Sequence, residues 1–130
     1  MNILLDTHAW LWMMLEPKKI GAKTRRILGE THSFALSLAS VWELAIKHAA
    51  GRLDLPEPPL EYVRSRTHAD GIRLVPIQME HACAAASLPR HHGDPFDRML
   101  AAQTKLEKLV LMSHDGVFAK YGIKVLDPVR

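Results

Sequence analysis

Asn2-Ile3-Leu4-Leu5-Asp6-Thr7-His8-Ala9-Trp10-Leu11-Trp12 is the stretch on which the fold turns. Asn2 to Leu5 is a short apolar run of strand length with no alternation, as expected of a strand covered on both faces. It ends at Asp6. From Thr7 to Leu15 the pattern becomes helical, and Pro17, which has no backbone N–H to donate, stops it. A buried strand that passes through one acid into a helix is the opening of a parallel βα unit.

The same grammar recurs downstream. A helix is expected over Ile20–Leu28 with Gly29 as terminator, and a second strand over Ser33–Leu36. Ser37 or Ser40 can cap the next helix, which runs to about Ala50 and ends at Gly51. Leu55-Pro56-Glu57-Pro58-Pro59 must be a loop, followed by a helix from Leu60 to about Ala69. Strands are expected at Ile72–Val75, Leu109–Met112 and Ile123–Leu126, with helices over Met79–Leu88 and from Pro95 to about Lys108. Strands alternating with helices imply an α/β domain with a parallel sheet covered on both faces. The 130 residues suit a single domain over 1–130.

At 48% hydrophobic and 24% charged residues, the composition is that of a globular chain rather than a disordered one. A domain of this size buries roughly two-thirds of its unfolded surface and needs no disulfide or structural metal. The single cysteine, Cys83, lies in the run Ala82-Cys83-Ala84-Ala85-Ala86 and is expected to be buried in a helix. No basic segment precedes an apolar one at the N-terminus, and no apolar run approaches the ~20 residues that span a bilayer. A cytoplasmic location without membrane attachment is expected. The formal charge of +3 permits binding to a polyanion without establishing it. Arg90, His91, His92 and Arg98 are candidate phosphate contacts, with ordinary surface placement the simpler expectation for each.

The chemistry turns on the acids. Asp6 ends the first strand and Asp115 follows the fourth, and ligands of open parallel sheets gather at strand carboxyl ends where strand order reverses. Glu43 and Asp97 lie on helices that can frame the same crevice. Each has a structural explanation: Asp6 as a helix cap, Asp97 as a first-turn acid, Glu43 as partner of Lys47, and Asp115 as a turn residue. Asp94, followed by Pro95, reads as a helix cap. Glu43, however, stands in the mostly apolar Ser40-Val41-Trp42-Glu43-Leu44-Ala45-Ile46 on a helix expected to be largely buried, where a carboxylate needs a partner. Convergent acids repel by about 4 kcal/mol per pair at ~4 Å and an effective dielectric near 20, so a cation is the natural compensation. All-oxygen ligands favour Mg2+ or Mn2+.

Four segments resemble the PIN-domain family in order and spacing: Leu4-Leu5-Asp6-Thr7-His8-Ala9-Trp10-Leu11-Trp12, Ser40-Val41-Trp42-Glu43-Leu44-Ala45-Ile46-Lys47, His92-Gly93-Asp94-Pro95-Phe96-Asp97-Arg98-Met99-Leu100-Ala101-Ala102-Gln103, and Met112-Ser113-His114-Asp115. The third is the most specific, and the resemblance spans essentially the whole chain. It implies a three-layer α/β/α domain with a five-stranded parallel sheet. It also implies cleavage of RNA with Mg2+ or Mn2+ by a toxin of the VapC type. Carried over by motif, Asp6, Glu43, Asp97 and Asp115 form the acidic quartet and the metal ligands, Asp6 and Asp97 foremost. Thr7, Ser113 and Asp94 take supporting places. The implied partners are an RNA substrate, a small antitoxin protein and a second copy of the chain in a homodimer. The bulky surface of Trp10, Trp12, Met13 and Met14 suits packing, with part left for a partner.

Three rival readings share parts of this pattern. A haloacid-dehalogenase-type phosphatase wants a second Asp two residues after the first, where His8 stands; a receiver domain wants an Asp after the third strand, where Pro76 and Ile77 stand. The third is a catalytically silent binding module on the same fold. Structural zinc is disfavoured, because no two of the eight histidines have a zinc-ligand spacing of three to five intervening residues and Cys83 has no thiol partner.

Overall fold

A computed structural model describes residues 1–30 and 32–130. Five parallel strands are arranged in the order β3-β2-β1-β4-β5: β1 (Asn2–Leu5), β2 (Ser33–Ser37), β3 (Arg73–Val75), β4 (Val110–Met112) and β5 (Val125–Leu126). The helices are α1 (Thr7–Leu15), α2 (Ala22–Leu28), α3 (Leu38–Ala49), α4 (Pro59–Ala69), α5 (Met79–Ser87) and α6 (Pro95–Leu106). β1 is central, pairing with β2 on one side and with β4 on the other. The order of strands reverses there, so the crevice beyond its carboxyl end is the expected ligand site.

Alternation of side chains along the strands makes two cores. Ile3, Leu5, Leu36 and Met112 face a layer that includes Trp10, Leu44, Tyr62 and Val63 from α1, α3 and α4. Leu4, Ala35 and Leu111 face the opposite way, onto Leu100 and Ala101 of α6 and onto Phe118 and Tyr121. Ile3, Leu4 and Leu5 are all fully buried, each contributing roughly 1.5–3 kcal/mol relative to exposure. This is why β1 is uniformly apolar. The three-layer α/β/α expectation is met. No helix among the described residues is long and apolar enough to cross a membrane.

Several boundaries differ from the sequence reading. The second helix begins at Ala22, not Ile20, because Pro17–Lys19 forms a separate 3-10 turn and Gly21 is the N-cap. A Cβ on Gly21 would overlap the backbone of Val129 and Arg130, and its N–H donates to the carbonyl of Pro128 at 3.0 Å. β5 is shorter than Ile123–Leu126: only Val125 and Leu126 pair, opposite Leu111 and Met112 of β4. A 3-10 helix over Gly116–Tyr121, closed by Gly122 in the left-handed region at φ 77°, went unforeseen.

Two burial expectations are overturned. Cys83 is exposed, because α5 packs through His81 and Ala85, one turn apart, which turns Cys83 to the opposite side. α3 is not largely buried: Ala39, Ser40 and Leu44 face the core, whereas Trp42 is 62% and Ile46 46% exposed.

Candidate metal centre

The centre is assembled by short links at the carboxyl ends of β1 and β4. The N–H of Asp6 donates to the carbonyl of Met112 at 3.0 Å, extending the β1–β4 ladder and bringing Asp6 beside Ser113. Asp6 caps α1, its Oδ1 accepting the Ala9 N–H at 2.7 Å, so the capping reading is correct and does not exhaust the residue. It is buried, and burial is the main cause pushing its carboxyl above the ordinary range; Glu43 adds to this, while Ser113, the Ala9 N–H and His8 oppose it.

Asp97 lies in the first turn of α6. Asp94 caps that helix, its Oδ1 accepting from Phe96 N at 2.7 Å and Asp97 N at 3.4 Å. Asp97 is pushed up to about 6, first by burial, then by Asp94, Glu43 and Asp115, against the pull of His92. Asp115 moves the other way. Burial raises it, but hydrogen bonds from His92 and from the Val117 N–H, with the nearby His92 and His114, outweigh burial and hold it below the ordinary range. Its Oδ2 meets His92 Nε2 at 2.7 Å and its Oδ1 accepts the Val117 N–H at 2.9 Å. Ser113 Oγ accepts the Asp115 N–H at 3.1 Å, fixing the turn.

Asp6, Asp97 and Asp115 line one cavity of about 290 Å3, with Ser113, His8, Trp12, His114 and Phe118 around them. Asp97 and Asp115, with His92 beside the cavity, have candidate ligand atoms that all lie within 4.8 Å of one another. Asp6 lines the same cavity from just outside that set. Glu43 is near enough to raise both Asp6 and Asp97, yet it does not line the cavity and forms an ion pair with Lys47 at 3.3 Å. Thr7 Oγ1 and Ser40 Oγ, on the residues flanking Asp6 and near Glu43 in sequence, are buried without a hydrogen-bond partner. Two acids raised by burial and by neighbouring acids, with an unpartnered hydroxyl next in sequence to one of them, fit a divalent cation.

His92 was foreseen only as a phosphate contact. Its side chain is 9% exposed and its ring holds Asp115, a role no spacing rule would have found because the partners are 23 residues apart. The Arg98 guanidinium donates to the carbonyls of Ala86, Leu88, Pro89 and His92, tying the α5–α6 loop to α6. Arg90 and His91 are exposed.

The PIN domain family matches residues 3–124 of the chain. Ribonuclease VapC22 of Mycobacterium tuberculosis is 30% identical over 102 residues, covering 78% of this chain and 77% of that one. Among solved structures, VapBC2 from Rickettsia felis, bound to a DNA fragment from its promoter, superposes with TM-score 0.73 at 11% identity, over 97% of this chain and 98% of that one. FitAcB from Neisseria gonorrhoeae does so with TM-score 0.67 at 22% identity, over 97% of each chain. At such low identities the structures speak for the fold alone. Sequence and fold agree in placing the chain in the PIN-domain family, among the VapC ribonucleases.

Proposed function

We propose that this chain is a divalent-metal-dependent endoribonuclease, with Mg2+ or Mn2+ as its ion, and the toxin of a toxin–antitoxin pair. One observation carries the reading: acids from three separate segments meet in one cavity, and Asp97 is held near 6 chiefly by burial and by neighbouring acids. Such an arrangement is poorly stable without a cation.

Asp6 and Asp97 would hold the ion, with Glu43 and Asp115 as further or water-mediated ligands. A bound divalent ion supplies a polarised phosphate oxygen and a water acidic enough to ionise near neutral pH. The chain's own part is orientation. The Ala9 N–H fixes one oxygen of Asp6, and His92 and Val117 fix Asp115. Ser113 lies in the cavity wall, its hydroxyl beside Asp6 and accepting the Asp115 N–H, and Thr7 follows Asp6 with its hydroxyl buried and unpartnered, so both take supporting places. Asp94 serves through its cap on α6 and its field on Asp97.

The partner side of the proposal is a small antitoxin and a homodimer. Exposed Leu38, Trp42 and Ile46 recur every fourth residue on α3, making an apolar stripe of the kind that a protein partner covers. A largely apolar groove between α1 and α2, lined by Met13, Met14, Pro17, Ile20 and Leu28 together with Arg25, offers a second such surface.

The test is incubation of purified chain with labelled RNA and Mg2+ or Mn2+, beside Asp6→Ala and Asp97→Ala. Cutting that requires metal and disappears in both variants is expected. Equal cutting by the variants, or none by the wild type on a broad panel of RNAs, would overturn the reading.

A further inference from the structure

His92, Asp97 and Asp115 stand close enough to share an ion, yet the surroundings of His92 argue that it is not a ligand. Tyr121 Oη lies 3.0 Å from the His92 backbone N and 2.9 Å from its Nδ1. A backbone N–H can only donate, so the tyrosine oxygen accepts there. Its own hydrogen is then free for Nδ1, the acceptor within reach in a region where Tyr121 is only 4% exposed. With Nδ1 accepting, the ring hydrogen belongs on Nε2, which is 2.7 Å from Asp115 Oδ2. The opposite tautomer would set a bare nitrogen lone pair against a carboxylate oxygen and leave the tyrosine hydrogen unused. A nitrogen that carries hydrogen has no lone pair for a metal.

The rest of the loop fixes the ring in that attitude. It stacks on Tyr121 at 5.5 Å and 13°, and leans on Phe118 at 4.5 Å. Arg98 donates to the His92 carbonyl at 3.3 Å, so both backbone polar groups of the residue are held. Asp115 receives one donor on each oxygen, from His92 and Val117, and each oxygen keeps a second lone pair for an ion or its bound water.

We propose that His92 is a positioning residue of the metal centre: Tyr121 sets its tautomer, and its Nε2–H orients the Asp115 carboxylate without touching the ion. This rests on the reading of the cavity as a metal site. Removing such an outer partner typically weakens metal binding by about 10–100-fold.

The test uses the full chain and Mn2+ alone, without RNA. Mn2+ affinity is measured by titration for wild type, His92→Ala, His92→Gln and Tyr121→Phe, with folding checked by circular dichroism. Pulsed paramagnetic resonance of the Mn2+ form reports whether nitrogen is bound to the metal, and 15N–1H correlation of the imidazoles reports the tautomer. Affinity should fall about 10–100-fold in His92→Ala. It should largely return in His92→Gln, whose amide can still donate to Asp115. The wild type should show no metal-bound nitrogen and an Nε2–H ring, and Tyr121→Phe should relax that tautomer preference. A nitrogen coupling that vanishes in His92→Ala would make the residue a ligand and overturn the proposal. So would wild-type Mn2+ affinity in a folded His92→Ala. Should His92→Ala not fold, the wild-type resonance spectrum and the other two variants decide. A chain that takes up no Mn2+ overturns the metal reading beneath the proposal. A chain with the expected Mn2+ behaviour that cuts no RNA overturns only the nuclease reading.

Discussion

Asp97 and Asp115 line the same cavity and are pushed in opposite directions. Asp97 has burial, Asp94, Glu43 and Asp115 all working against its charge, and rises to about 6. Asp115 is 43% exposed at its side chain and accepts from His92 and the Val117 N–H, so its charge is satisfied before any ion arrives. The contrast separates two tasks. Asp97 is a carboxylate whose surroundings oppose its charge, so that it keeps its proton up to about pH 6 and gains most from a cation. Asp115 is already oriented and ionised, and gains less from the ion. Asp6 resembles Asp97 in being raised by burial, although its helix-capping bond partly satisfies it.

If that division holds, Asp97→Ala should reduce metal-dependent RNA cleavage beyond the roughly 100-fold upper end for outer partners, while Asp115→Ala stays within about 10–100-fold. Initial rates at saturating Mn2+ decide this, and the reverse order would break the comparison.

Apparent Mn2+ affinity should fall about tenfold per pH unit below about 6, because the proton on Asp97 must leave before it ligates, and should flatten above that. Calorimetric titration from pH 5 to 8 measures it. Asp115, held low, should add nothing to the slope in that range.

Stability of the metal-free chain gives the next effect. Asp97 has a raised folded value, so between about 4 and about 6 the folded state binds a proton that the unfolded state lacks. Stability from that proton is present at low pH and is lost as pH rises through about 6. Asp97→Asn should therefore be more stable than wild type by about 1–2 kcal/mol at pH 8, after discount for solvent screening, with the two converging below pH ~4. Urea unfolding without metal tests this. Asp115→Asn should act in the opposite sense and lose stability at neutral pH.

The smallest effect concerns Glu43, which stands behind the cavity. Lys47→Ala removes an i,i+4 ion pair and should change stability by less than about 0.5 kcal/mol. A larger loss would mean that Lys47 also neutralises the quartet.

The first βα unit was legible because each local signal agreed: an unbroken apolar run, an acid able to cap, and a proline to stop the helix. Asp94-Pro95 was readable as a helix start for the same reason, and the structure has that cap. Faces were harder. The sequence of α3 is rich in apolar residues, so composition suggested burial, while the helix faces the core through Ala39, Ser40 and Leu44 and leaves Trp42 outside. Cys83 shows the same limit: an alanine-rich helix gives no strong moment to say which side packs. The hydrogen bonds of His92 and Arg98 join residues 6 to 29 positions apart through a loop and a 3-10 helix, and no periodicity encodes them.

The sequence by itself determined the alternation of strands and helices, the helix caps and the acids that end β1 and open α6, because these depend on neighbours within a few residues. Tertiary structure alone decided which acids share a cavity, which are raised and which are lowered, and that a histidine and a tyrosine stand behind one of them. Those outcomes follow from strand order and burial, where charges distant along the chain are brought within a few ångströms in a medium that screens them poorly.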